Sequence, residues 1–182
     1  MMTSKEKLLQ ILKEKSLLRG DFVLASGARS TYYIDGKKTT FDPEGAYYIG
    51  QLLMDEIQKL NVKVDAVGGM SIGADPMVIA IGLAARERRI PLRVFVTRKA
   101  VKDHGTKKLI EGNFESGDKV VLVEDVMTTG GSTLQAVEIV RQAGGEVVAA
   151  MVIVDREQGG KKNLEEVGIP LISIFSINNI LN

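Results

Sequence analysis

The sequence predicts a three-layer α/β fold, a mainly parallel sheet with helices on both faces. Three observations carry that expectation. Short uncharged runs such as Val120–Val123 have the β-branched and aliphatic composition of strands buried on both faces. These runs alternate with amphipathic stretches, such as the one with Leu134, Val137 and Val140 at helical spacing. Glycine-rich loops, Gly68–Asp75 and Thr128–Thr133, separate strand from helix. In such sheets, the segments that follow the strands gather on one edge, where ligands bind.

Taken in order, Leu8, Leu9, Ile11, Leu12 and Leu17 mark a first packing helix, with Arg19-Gly20-Asp21 as its end. Phe22–Gly27 and Ser30–Asp35 read as two short strands joined by a turn at Gly27–Arg29. This antiparallel piece does not fit a βα repeat and is expected to sit over the main sheet as a cap. Lys37 and Lys38 follow it. A helix is expected from Phe41 to Leu60, with Asp42 as N-cap and Pro43 in the first turn. Val64–Gly69 reads as the first parallel strand, followed by a helix from Pro76 to Arg88 and a strand at Leu92–Val96. Arg98–Glu111 is a charged segment without a clean period. Beyond the Val120 strand and its helix come a strand at Glu146–Val154, a short helix at Lys161–Val167, a strand at Pro170–Phe175 and a terminal helix at Ser176–Leu181. No repeat, low-complexity segment or linker interrupts the 182 residues, so one domain is expected over 1–182, with its cap formed mainly by 1–40.

The most informative stretch is Val120–Thr133, VVLVEDVMTTGGST. Glu124 and Asp125 stand where the strand is expected to end, and Thr128-Thr129-Gly130-Gly131-Ser132-Thr133 leads into the helix. Glycines let backbone approach a ligand closely. Unpaired N–H groups at the helix start favour a phosphate, and the hydroxyls add donors. The acidic pair cannot bind phosphate, but it suits the hydroxyls of a sugar or a magnesium ion bridging to one. The combination fits a sugar phosphate. An ordinary capped βα loop needs one hydroxyl rather than this whole set. No Gly-Lys-Ser/Thr follows the glycines and the G-x-G-x-x-G spacing is absent, which excludes a Walker or dinucleotide loop.

Composition narrows the class. A net charge of +1 gives no electrostatic case for nucleic acid or membrane, and 5% aromatics without tryptophan leave few stacking surfaces. The absence of cysteine excludes disulfides and thiolate metal sites and suits a reducing cytoplasm. The first sixteen residues read as a charged amphipathic helix rather than a signal peptide, and no apolar run reaches membrane-spanning length.

The basic segment gathers Arg98, Lys99, Lys102, His104, Lys107 and Lys108 around Gly105. Alone it would read as a charged surface loop. On the same sheet edge as a sugar-phosphate loop, it can clamp a polyanionic leaving group and close over the substrate. His104, the only histidine, can donate a proton or a hydrogen bond. Arg156, after a strand and beside Asp155, offers a planar guanidinium suited to a flat, carboxylate-bearing ligand.

These motifs together resemble a known family. Hydrophobic strand, Glu124-Asp125, two residues and Thr128-Thr129-Gly130-Gly131-Ser132 resemble the phosphoribosyl-diphosphate signature of type I phosphoribosyltransferases. Arg98-Lys99-x-x-Lys102-Asp103-His104-Gly105 resembles the catalytic loop of the orotate phosphoribosyltransferase family. Phe22-x-Leu24-x-Ser26-Gly27 with Tyr32-Tyr33-Ile34-Asp35 resembles its N-terminal hood, and Asp155-Arg156 its base-recognition site. The resemblance covers Leu8 to Arg156 and implies the type I phosphoribosyltransferase fold and reaction, with Mg2+ held mainly through the substrate rather than by protein ligands. It assigns phosphoribosyl diphosphate to Arg98, Lys99, Lys102, His104, Glu124, Asp125, Val126, Met127, Thr128, Thr129, Gly130, Gly131 and Ser132. It assigns orotate to Thr128 and Arg156, and catalytic roles to Lys99, Lys102, His104 and Asp125. It further implies a homodimer with shared active sites, Lys99 reaching into the neighbour's. Two departures stand out: Ala25 and Ser71-Ile72-Gly73 occupy places where the family commonly carries lysines, and Lys37 or Lys38 are the candidate substitutes. A purine phosphoribosyltransferase and a non-catalytic nucleotide-binding regulator of the same fold are the rivals. The basic loop argues against the first, and near-zero net charge against the second.

Overall fold

The computed structural model describes residues 2–23, 29–99 and 108–182. The first helix, α1 (Ser4–Ile11), starts at a capping box in which Thr3 and Glu6 satisfy each other's backbone donors. It widens into a π-helical turn at Leu12–Ser16 and ends there, three residues before the Arg19-Gly20-Asp21 stop expected from sequence. Ser16 is fixed by a 2.6 Å hydrogen bond to Thr39, and the chain turns at once into strand β1 (Leu17–Val23). β1 pairs antiparallel with β2 (Arg29–Ile34), Leu17 opposite Ile34, so Arg19-Gly20-Asp21 lies inside a strand. The register shifts between Arg19 and Phe22, a bulge that Gly20 accommodates. The turn expected at Gly27–Arg29 falls mostly outside the described residues.

A short helix α2 (Lys37–Thr40) leads to α3 (Pro43–Gln58), where Asp42 accepts the Gly45 N–H at 2.9 Å as the expected N-cap. Then come β3 (Ala66–Gly68), α4 (Asp75–Glu87), β4 (Arg93–Thr97), β5 (Ile110–Gly112), β6 (Lys119–Met127), α5 (Gly131–Gln142), β7 (Glu146–Asp155), α6 (Gly160–Glu166), β8 (Leu171–Ser176) and α7 (Ile177–Leu181). The sheet order is β5-β4-β3-β6-β7-β8, parallel throughout except for β5, which pairs antiparallel with β4. Alternate side chains of β6 feed two cores. Val121 and Val123 join α3, α4 and the termini, while Val120 and Leu122 join α5 and α6. This is the three-layer α/β architecture that the alternating pattern predicts.

Two further boundaries differ from expectation. β5 was not expected, because three residues inside a charged segment carry no strand pattern. β6 does not stop at Val123: its ladder with β7 continues through Glu124 opposite Val152 to Met127 opposite Asp155. The acidic pair therefore belongs to the strand itself, held by parallel pairing rather than by a loop.

The strand order places the site. From β3 the chain goes to β4 on one side, then returns to lay β6 on the other side of β3. Loops after β3 and β6 diverge at that reversal and leave a crevice at the carboxyl edge.

Candidate active site

The floor of the crevice is the loop Thr128–Gly130 and the first turn of α5. Gly130, with φ +79°, lies in the left-handed region and turns the chain from strand into helix. The carbonyls behind the loop are occupied: Met127 O accepts from Arg156 N at 2.9 Å, Thr128 O from Gly160 N at 3.0 Å, and Thr129 O from Asn163 Nδ2 at 2.9 Å. The loop is thus pinned to the start of α6. No side chain fits at Gly160, where a Cβ would lie 2.6 Å from Met127 Cγ and 2.7 Å from Thr128 O. The first N–H groups of α5 have no carbonyl one turn behind them and point out along the helix axis. That is an anion cradle of backbone donors at the positive end of a three-turn helix.

Above the cradle stand the two carboxylates. Thr133 of α5 donates its hydroxyl hydrogen to Glu124 Oε2, which ties the first carboxylate to the helix. Burial pushes Glu124 above the usual carboxylate range, Thr133 opposing and neighbouring Asp125 adding to the rise. Burial likewise raises Asp125, against the Val126 N–H, which donates to Oδ1 at 2.9 Å, and the charge of Lys37. Two half-buried carboxylates one residue apart call for a partner that brings positive charge or hydroxyl donors.

Asp125 also joins distant segments. A Cβ at Gly36, just after β2, would sit 2.6 Å from Asp125 Oδ2 and 2.8 Å from Val126 Cγ2. Gly73, in the loop after β3, approaches Oδ1 from elsewhere in the crevice. The same side chain therefore touches the β1–β2 cap and the β3 loop. Arg156, at the end of β7, is buried, and its Nε has no hydrogen-bond partner among the described residues. Its guanidinium stacks over the Tyr32 ring of β2 at 5.3 Å. A buried guanidinium with unused donors and an aromatic face beside it makes a slot for a flat, acceptor-rich ring.

The residues expected from sequence are placed as follows. Glu124, Asp125, Thr128–Ser132 and Arg156 gather at this edge, and Val126 packs beside Gly36. The Met127 side chain is fully buried in the core, so its backbone alone borders the loop. Arg98 forms a 3.6 Å ion pair with Glu111 of β5. The Lys99 carbonyl accepts from Gln135 of α5 at 3.3 Å, and its ammonium acts on Glu124 of the same chain. Lys102 and His104 lie outside the described residues. Among the described residues no group of three His, Cys, Asp or Glu side chains is arranged to hold a metal ion. The sequence reading missed Gly36, Gly73 and the Tyr32–Arg156 stack, because each contact joins segments far apart in the chain.

A model of the phosphoribosyl transferase domain family matches residues 50–176. Orotate phosphoribosyltransferase of Aquifex aeolicus is 44% identical, with each chain covered in full. The Methanocaldococcus jannaschii enzyme of the same name is 43% identical over 98% of both chains. Among solved structures, Mycobacterium tuberculosis H37Rv orotate phosphoribosyltransferase in complex with 5-phospho-α-D-ribosyl 1-diphosphate superposes with a TM-score of 0.84. That match is 32% identical and covers 99% of this chain and 100% of the other. Over its full length, in its fold and in the motifs that meet at the crevice, the chain belongs to the orotate phosphoribosyltransferase family.

Proposed function

We infer that the chain transfers ribose 5-phosphate from phosphoribosyl diphosphate to orotate, giving orotidine 5′-phosphate and diphosphate, in de novo pyrimidine biosynthesis. The carrying observation is the meeting at one edge of a backbone anion cradle, a carboxylate pair and the Tyr32–Arg156 slot. The cradle of Thr128–Ser132 takes the 5-phosphate, Glu124 and Asp125 take the ribose hydroxyls, and Thr128 with Arg156 takes orotate. A ring nitrogen of orotate bonds to the anomeric carbon as the bond to the diphosphate oxygen breaks, its electron pair leaving with diphosphate, and the N–H proton of that nitrogen passes to the departing diphosphate or to solvent. The transition state is oxocarbenium-like, so the protein's contribution is positioning, charge neutralisation and exclusion of water. Arg98, Lys99, Lys102 and His104 are assigned to the departing diphosphate.

Magnesium fits this donor set in one way. Mg2+ usually keeps few protein ligands and is held together with substrate phosphates, so it would be carried mainly by the substrate, with Glu124 and Asp125 near it through the ribose hydroxyls they bind. Bound so, the ion would supply charge neutralisation on the diphosphate. We place the enzyme in the cytoplasm on the absence of cysteine, acting as a single domain capped by residues 1–40. No helix among the described residues is long and apolar enough to cross a membrane. The test is direct: purified protein with Mg2+, orotate and phosphoribosyl diphosphate is expected to form orotidine 5′-phosphate. Turnover of adenine or hypoxanthine instead would overturn the orotate assignment.

A twofold partner is supported by one apolar face. Phe41, Tyr47, Ile79 and Leu83, each more than half exposed, line a groove between α3 and α4. Ile72, 59% exposed, precedes Gly73, which approaches Asp125, so a partner in contact with it would stand next to the site. If Lys99 serves the partner's site, mixing Lys99→Ala with Arg156→Ala rescues activity. Random exchange makes about half the dimers mixed, each with one intact site, so roughly a quarter of wild-type activity is expected. Recovery near zero, with exchange confirmed by mass, places Lys99 in its own chain's site.

A further inference from the structure

The wall between Asp125 and the cap contains a cation without an assigned task. Lys37 opens α2, and its ammonium lies 3.3 Å from Asp35 Oδ1. That contact lacks the angles of a hydrogen bond, and Oδ1 has no other partner among the described residues. The side chain is about half exposed, so it is paired loosely and free to re-aim. Its position is nevertheless fixed at the backbone, because Gly36 packs against Asp125 and Val126 with no room for a side chain. The β3 loop reaches the same carboxylate through Gly73. Three segments therefore converge on Asp125, and of these Lys37 brings the positive charge.

We propose that Lys37 is a substrate-binding residue for phosphoribosyl diphosphate, its ammonium meeting the diphosphate end from the cap side of Asp125. This rests on the reaction given above. In the ligand-free protein Lys37 answers the charge of Asp125 and Asp35. When ribose hydroxyls take up the Asp125 carboxylate, the ammonium is released toward phosphate oxygens, which attract it more strongly than a carboxylate already in use. The other groups facing it are consistent with that exchange. Burial lowers its pKa, but Asp125, Asp35 and Tyr33 together outweigh it and raise the net value, so the side chain is a cation throughout the working range.

Steady-state kinetics of Lys37→Ala, Lys37→Arg and Lys38→Ala test the assignment. Lys38 is the exposed neighbour and serves as the control. For Lys37→Ala the KM for phosphoribosyl diphosphate is expected to rise about tenfold or more, the loss of one charge-assisted hydrogen bond. The KM for orotate should stay within about twofold on the same reasoning, because the missing group does not touch the base. Arginine should restore most of the affinity, and Lys38→Ala should match wild type. Should Lys37→Ala fold poorly, Lys37→Gln with calorimetric titration of Mg2+ and phosphoribosyl diphosphate gives the same reading. An active wild type with phosphoribosyl diphosphate kinetics unchanged in both neutral variants overturns the Lys37 assignment alone. A merely structural role would shift both KM values together and would overturn it too. A wild type that forms no orotidine 5′-phosphate overturns the functional reading, and the Lys37 assignment with it.

Discussion

Replacing Asp125 by asparagine is expected to cut turnover by about a hundredfold or more while making the ligand-free protein more stable. In the proposed reaction the first effect follows from loss of a preorganised charge beside the ribose, a class of change that costs about 10²–10³ in rate. The second follows from burial. Asp125 is held above the usual carboxylate range, so the native state binds its proton more tightly than the unfolded chain does. Stability linked to that proton is present below the unfolded pKa and is lost as pH rises through the higher folded pKa. At neutral pH the wild type therefore carries a half-buried charge that asparagine removes. The melting midpoint of Asp125→Asn should exceed wild type by about 2–4 °C, the shift that roughly 1 kcal/mol produces in a domain of this size. The advantage should shrink as pH falls into the carboxylate range. Adding Mg2+ and phosphoribosyl diphosphate should reverse the order, because only the wild type regains the favourable partner. Melting curves at several pH values, with and without ligand, check all three statements. A variant less stable than wild type at neutral pH would mean that Asp125 is a structural anchor and not a charge held ready.

Arg156→Ala is expected to raise the KM for orotate by about a hundredfold, because it removes a buried, hydrogen-bonding charge from the base slot, typically a loss of 2–5 kcal/mol. The KM for phosphoribosyl diphosphate should stay close to wild type. The guanidinium lies over Tyr32 and past the end of β7, whereas the anion cradle is built by α5. Tyr32→Leu should give a smaller defect of the same kind by removing the stacking partner. Initial rates over a grid of both substrates separate the two constants. A defect confined to phosphoribosyl diphosphate would remove Arg156 from the base slot.

The parts of the site that sequence revealed are those written in consecutive residues. Glu124-Asp125 and Thr128–Ser132 could be read as one device because strand, acid pair, loop and helix follow one another within fourteen residues. Arg156 was legible from its place after a strand. What could not be read were contacts between segments far apart in the chain. Gly36 has no local signal of its own: its importance lies in Asp125, nearly ninety residues away in sequence. The same holds for Tyr32 against Arg156. Errors in the fold were of a different kind. Leu17–Asp21 was read as a helix end because Arg-Gly-Asp breaks a helix, yet glycine serves equally well at a β-bulge. β5 escaped because pairing with β4 does not require a hydrophobic run. β6 was cut short because carboxylates are unfavourable in strands unless a ligand site needs them there.

The reversal of strand order at β3 also governs when the protein can become whole during synthesis. β3 emerges early and finds β4 about thirty residues later, but its other edge must wait for β6, which begins at Lys119. During that interval the nascent sheet has an unpaired apolar border at Ala66–Gly68, and β6 in turn stays uncovered until β7 arrives at Glu146. Long-range parallel pairing of this sort forms slowly and leaves an edge open to other chains. The strand that bears the carboxylates is thus the one that joins the two halves of the sheet. A ribosome that pauses between residues 68 and 119 would hold out a sticky edge, and translation speed through that stretch becomes part of the protein's solubility.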